Sequence, residues 1–159
     1  MWYYIVRGIN MNRLRIAVGA ISFILAVFCF AAPSFAAERF VINYDKKLDV
    51  TQNPVTIEQG GYKIKIDMSR PARPFSETVF RVFIEKEGKP VSISQGHILF
   101  NMSMDMGLYK ANLQKASTGY TAKVTLPKCI MGGKVWYGKL SFGHEGGQVE
   151  KVFLFNIKD

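Results

Sequence analysis

Met102, Met104 and Met106 stand at every second position of the stretch Asn101–Gly107, and twenty-odd residues later Cys129 and Met131 repeat the same spacing. Thioethers and a thiolate are soft ligands that select Cu(I) over hard cations, and the uncharged sulfurs keep the complex low in charge. Same-face residues of an extended strand lie about 6.6 Å apart, so neighbouring methionines converge on one ion only where the chain bends. Asp105 and Gly107 supply turn chemistry beside the first group, and Gly132-Gly133 beside the second. A three- or four-coordinate site of two or three methionines with Cys129 would suit storage or transfer of the ion rather than redox turnover. The competing reading is packing: Ile98, Phe100, Met102 and Met104 continue one alternating face, and methionine fills irregular core gaps. On that balance Met102 reads as core, Met104 and Met106 lie in the turn where a core needs them less, and Cys129 reads equally as a small buried hydrophobe or as a ligand.

What precedes these residues bears on the cysteine. Residues 11–36 combine Arg13 and Arg15, an apolar run from Ile16 to Phe30, and the small-x-small triplet Ser34-Phe35-Ala36. This is the layout of a secretory signal peptide, and it predicts an N-terminal signal helix over residues 1–36 with cleavage after Ala36 or Ala37. Met11 makes a better signal start than Met1, so residues 1–10 read as an overlong start. An uncleaved membrane anchor is the alternative, since about 20 apolar residues span a bilayer. The small residues at the end of the run favour cleavage. Cys29 follows the bulky Phe28 and is no lipoprotein cysteine. Cleavage leaves Cys129 as the only thiol of an exported chain, which is unusual in an oxidising compartment.

The remaining chain, 37–159, reads as one domain. Of 21 Lys+Arg, three precede it (Arg7, Arg13, Arg15), leaving 18 against 12 acids, a net charge near +6. The cations are dispersed singly, with no arginine-rich stripe, which argues against nucleic acid as a partner.

Its periodicity is that of strands. Tyr62, Ile64, Ile66 and Met68 alternate with polar residues, as do Tyr120, Ala122, Val124 and Leu126. Period-two alternation marks antiparallel strands with one face buried. The denser runs 78–85 and 149–157 suit central strands. Turn signals at Gly60-Gly61, Glu87–Pro90, Ser117–Gly119, Gly132-Gly133 and Gly146-Gly147 separate about seven to eight short strands. The expected fold is all-β, an immunoglobulin-like antiparallel β-sandwich. If every connection is a simple reversal, the methionine loop and residues 127–133 share one end. His97 and His144 then lie toward the other end, roughly 20 Å away for a strand of six or seven residues. A blue-copper site needs two histidines with the cysteine, and this count separates them. His97 and His144 read as surface or structural residues, Trp136 and Tyr137 as core and sandwich edge. No Ser-His-Asp set, phosphate-cradling glycine loop or CxxC motif proposes catalysis, and the chain reads as a non-enzyme.

The run from Glu87 to Phe142 resembles the YtkA-like domain and its FixH-type relatives. The resemblance is carried by the Gly-Lys-Pro-Val turn at Gly88–Val91, the M-x-M-x-M segment at Met102–Met106, the Gly-Tyr-x-Ala-x-Val-x-Leu-Pro strand at Gly119–Pro127, and the Gly-x-x-Trp strand at Gly133–Trp136. It covers about half of the domain. It implies an immunoglobulin-like sandwich of the bacterial envelope, periplasmic or secreted, with a copper-related role such as copper tolerance or delivery to a respiratory oxidase. A copper donor or acceptor protein would then be the partner. FixH-type relatives keep a membrane anchor, and the Cys129-x-Met131 pair does not carry over from the family pattern. The metal ligands expected here are Met104, Met106 and Cys129, with Met102 and Met131 supporting. A metal-free interaction or assembly module of the envelope is the alternative.

Overall fold

A computed structural model describes residues 45, 47–144 and 147–158. The signal segment expected over 1–36 lies outside the described residues. Ten strands follow one another: β1 Val55–Gln59, β2 Tyr62–Met68, β3 Glu77–Lys86, β4 Lys89–Pro90, β5 Gln95–Asn101, β6 Tyr109–Asn112, β7 Gln114–Lys115, β8 Tyr120–Thr125, β9 Val135–His144 and β10 Gly147–Asn156. Two of them, β4 and β7, are only two residues long. No helix occurs among the described residues. One sheet has the order β1-β2-β3-β8-β7, with β4 on β3; the other has the order β10-β9-β5-β6. Every pairing of strands is antiparallel. The fold is all-β, two antiparallel sheets enclosing a core.

Alternation decides which face each strand buries. In β2, Tyr62, Ile64, Ile66 and Met68 are buried while Lys63 and Lys65 are exposed. In β3, Thr78, Phe80, Val82 and Ile84 turn inward between flanking β2 and β8, so this dense run is a central strand. Phe80 is the hub of the core. Its ring centroid lies 5.0 Å from that of Phe100, 5.7 Å from Phe153 and 5.1 Å from Phe155, all three in the opposite sheet. Each such ring, fully withdrawn from water, contributes about 1.5–3 kcal/mol. Phe40–Asp159 forms a compact unit, and its buried core runs from Val50 to Ile157. The sandwich therefore carries its own core, which is what a domain needs to fold alone.

Register sets the two ends. Asn101 pairs with Tyr137, Gln95 with Gly143, and Glu77 with Thr125. Loops 69–76, 102–108 and 126–134 consequently meet at one end, called the upper end below. The turns at Gly60-Gly61, Glu87-Gly88 and 116–119 lie at the lower end, with His97 and His144 toward it.

Two elements depart from the sequence expectation. Simple reversals imply a single run from the methionine loop down to the Ser117–Gly119 turn, but segment 108–115 changes sheets at Leu113: β6 pairs with β5, and β7 with β8. Leu113 turns in against the core, its N–H donates to the Gly96 carbonyl at 2.8 Å, and its Cδ1 occupies the space beside Gly96 that any Cβ would need. The apolar run 149–157, expected as a central strand, forms edge strand β10. Its density has a local cause. Leu48 and Val50 bond with the backbone of Leu154 and cover that edge, while Phe153 and Phe155 fill the core.

Candidate metal centre

Strand β5 ends where an asparagine takes over the backbone. Asn101 is buried, and its Oδ1 accepts the N–H of Met102 at 2.8 Å and that of Met106 at 3.2 Å. Its Nδ2 donates to Asp105 Oδ1 at 2.9 Å, and the same oxygen accepts the Gly107 N–H at 3.0 Å. Side-chain bonds of this kind compete with the sheet ladder and fold the chain into a turn. Gly107 closes it at φ +86°, a conformation that side chains rarely adopt. The Asn101 amide first, then the Gly107 N–H, hold the Asp105 carboxyl below its ordinary pKa.

The second loop is closed by the Gly132 N–H donating to the Cys129 carbonyl at 3.1 Å. Within this turn Cys129 faces inward and is only 3% exposed, while Ile130 and Met131 project outward. The loops meet through sulfur: Cys129 Sγ lies 3.2 Å from Met104 Sδ, an S–H···S contact. Gly133 stands behind the pair. A Cβ there would come 2.9 Å from the Met102 methyl carbon and 3.5 Å from Cys129 Sγ, so glycine leaves the space that both sulfur residues use. A cleft of about 30 Å³ opens beside Cys129, lined by Pro74, Gly132, Gly133, Trp136 and Ile157 among others. That is enough for a water-sized occupant.

The five sulfur residues thus occupy different environments. Met104 and Cys129 touch, and buried Met102 reaches the same glycine. Met106 is half-buried against the core, and Met131 stands in solvent. Two sulfurs bound to one ion at about 2.3 Å each would lie about 3.8–4.0 Å apart in tetrahedral or trigonal geometry, by analogy with zinc thiolates. Binding would therefore part Met104 and Cys129 by somewhat under an ångström, a movement open to a partly exposed methionine. The histidines are elsewhere: His144 Nδ1 meets the Tyr62 hydroxyl at 2.7 Å, and His97 sits on β5 near Gln95. Among the described residues no three His, Cys, Asp or Glu side chains gather at one point.

Asn101 and Gly133 escaped the sequence reading as site residues. The signal for Asn101 was an Asn and an Asp four apart, bracketing the methionines. Asn101→Ala is expected to cost about 2 kcal/mol, because two backbone donors lose their buried acceptor. Asn101→Asp keeps the acceptor but sets a second carboxylate against Asp105. The parent's Asp105 bonds stabilise the loop above the ordinary carboxylate range and are lost as pH falls through the lowered pKa. The Asn101→Asp variant should show the opposite trend, its deficit shrinking as acid protonates one of the facing carboxyls. Thermal melts of parent and variant across pH 3–7 check both slopes, that range spanning the ordinary Asp value of about 3.9.

Comparison with known proteins finds no family model, no curated protein and no solved structure that matches the chain.

Proposed function

We propose that this chain is an exported, immunoglobulin-like sandwich of the YtkA-like kind that binds Cu(I) at its upper end. Cys129 and Met104 supply the primary sulfurs, Met106 and Met102 stand in support, and Met131 reaches in from the exposed rim. The observation that carries this reading is the 3.2 Å approach of Cys129 Sγ to Met104 Sδ from two separate loops. A buried thiol next to a half-open thioether and a water-sized cleft is an arrangement that holds a soft ion and can still release it. The role is that of a periplasmic or secreted carrier, in copper tolerance or delivery to a respiratory oxidase, with a donor or acceptor protein as partner and no chemistry of its own. The chain's crossings between sheets after β4, β6 and β8 support the immunoglobulin-like assignment.

Trp136 lines the same cleft as Cys129 and is the only tryptophan in residues 37–159. Titrating that domain with Cu(I) against a competing chelator should quench its fluorescence in proportion to one ion per chain, while Mg²⁺ and Ca²⁺ leave it unchanged. The alternative is a metal-free interaction module. It is favoured by the sulfur contact being shorter than two ligands of one ion require, and absence of saturable Cu(I) binding would establish it in place of the carrier.

A further inference from the structure

Six large apolar side chains are markedly exposed among the described residues: Phe75, Met104, Leu108, Ile130, Met131 and Val135. All six belong to the upper end, in loops 69–76, 102–108 and 126–134 or the first residue of β9. Ile130 is 93% exposed, Met131 75% and Phe75 72%. Phe75 also sits at φ +58°, the left-handed region that costs a bulky residue about 1–2 kcal/mol. Backbone strain that puts a phenyl ring into water points to a function for that ring.

Cations surround this apolar crown. Arg70, Arg73 and Lys158 line one open cleft of about 410 Å³ at the same end. Lys128 and Lys134 line the small cleft beside Cys129, with Pro74 of the Phe75 loop in its wall. Against them stand Asp105, bonded within its own turn, Asp67, paired with Arg70, and Glu77, paired with Lys123.

We propose that the upper end docks on an anionic lipid surface, with Phe75, Leu108, Ile130 and Met131 entering the headgroup boundary and Arg73, Lys128, Lys134 and Lys158 facing lipid phosphates. Several features favour a bilayer over a protein. The apolar residues rise from three different loops at one end, beside the basic side chains of the clefts there. Turns closed by their own bonds, such as Gly132 N–H to the Cys129 carbonyl, let side chains enter without stripping water from unpaired backbone. Shallow insertion of a few apolar side chains, helped by basic residues, gives reversible binding to anionic membranes. This inference does not rest on Cu(I) binding, and metal-free protein tests it, so either idea can fail alone.

The test uses residues 37–159, because the apolar leader would enter vesicles by itself. Metal-free domain is sedimented with vesicles of phosphatidylethanolamine and phosphatidylglycerol at 3:1. Binding is expected, weakening with added salt. Ile130→Ser and Phe75→Asn should each lower the vesicle partition coefficient about tenfold, the worth of one large apolar side chain. Asn tolerates the left-handed backbone, so Phe75→Asn keeps the loop. Arg73→Gln/Lys158→Gln should reduce binding to these vesicles and flatten the salt dependence. Parental binding by the Ile130→Ser/Phe75→Asn double variant, with its melting temperature unchanged, would overturn the proposal. So would domain that stays in the supernatant, or that dimerises through the same residues in size-exclusion chromatography.

Discussion

Cys129→Ser is expected to weaken Cu(I) binding by more than about a hundredfold, since altering groups that merely support a ligand already costs 10–100-fold. Bound to Cu(I), Cys129 would be the one thiolate donor of the proposed set, whereas a serine hydroxyl is hard and stays protonated. The fold should survive. Serine is smaller than cysteine, and its hydroxyl replaces a thiol whose contact in the structure is Met104 Sδ. Leaving that hydroxyl poorly paired costs about 1–3 kcal/mol. Met104→Leu keeps the volume and removes only the thioether, so it should lower affinity about tenfold with little loss of stability. Chelator competition on the two variants and the parent measures both effects. Affinity of Cys129→Ser within threefold of the parent would remove the thiolate from the account.

The largest effect on stability is expected at Phe80. Phe80→Ala should cost about 3–5 kcal/mol, as truncation of a fully buried aromatic does. The ring is 0% exposed and joins the first sheet to Phe100, Phe153 and Phe155 of the second. A domain stable by about 5–15 kcal/mol gives up a large share of its margin this way. The urea midpoint should fall by about 2 M. Phe83→Ala provides the control: Phe83 is in the same strand, three residues on, but on the outer and half-exposed face. It should cost about 1 kcal/mol. Equal costs at the two positions would mean that β3 does not bury the face assigned to it.

Much of the fold is legible in the sequence. The alternation of β2 and β8 could not be satisfied by a helix, and turn residues punctuated the strands closely enough to set the parity of their ends. That parity separates the histidines from Cys129 and puts the methionine loop beside it, as the register does. What stayed hidden depends on contacts distant in sequence. The edge position of β10 follows from Leu48 and Val50 bonding Leu154, across some hundred residues. The change of sheet at Leu113 follows from space left by Gly96. Three methionines at equal spacing looked alike, but Asn101 divides them. Its oxygen gathers the backbone of Met102 and Met106, and Met104 is left between them as the residue that leans out to Cys129. The apolar crown was illegible because Phe75, Leu108 and Ile130 come from loops far apart in sequence that only the fold unites.

The central claim is that one Cu(I) sits among sulfurs at the upper end. X-ray absorption of the domain 37–159 loaded with one equivalent of Cu(I) tests it most directly. A first shell of two to four sulfur atoms at about 2.3 Å is expected, by analogy with zinc thiolates, losing its shortest scatterer in Cys129→Ser. A first shell of nitrogen near 2.0 Å, the distance of a metal-bound imidazole, unchanged in Cys129→Ser, would contradict it.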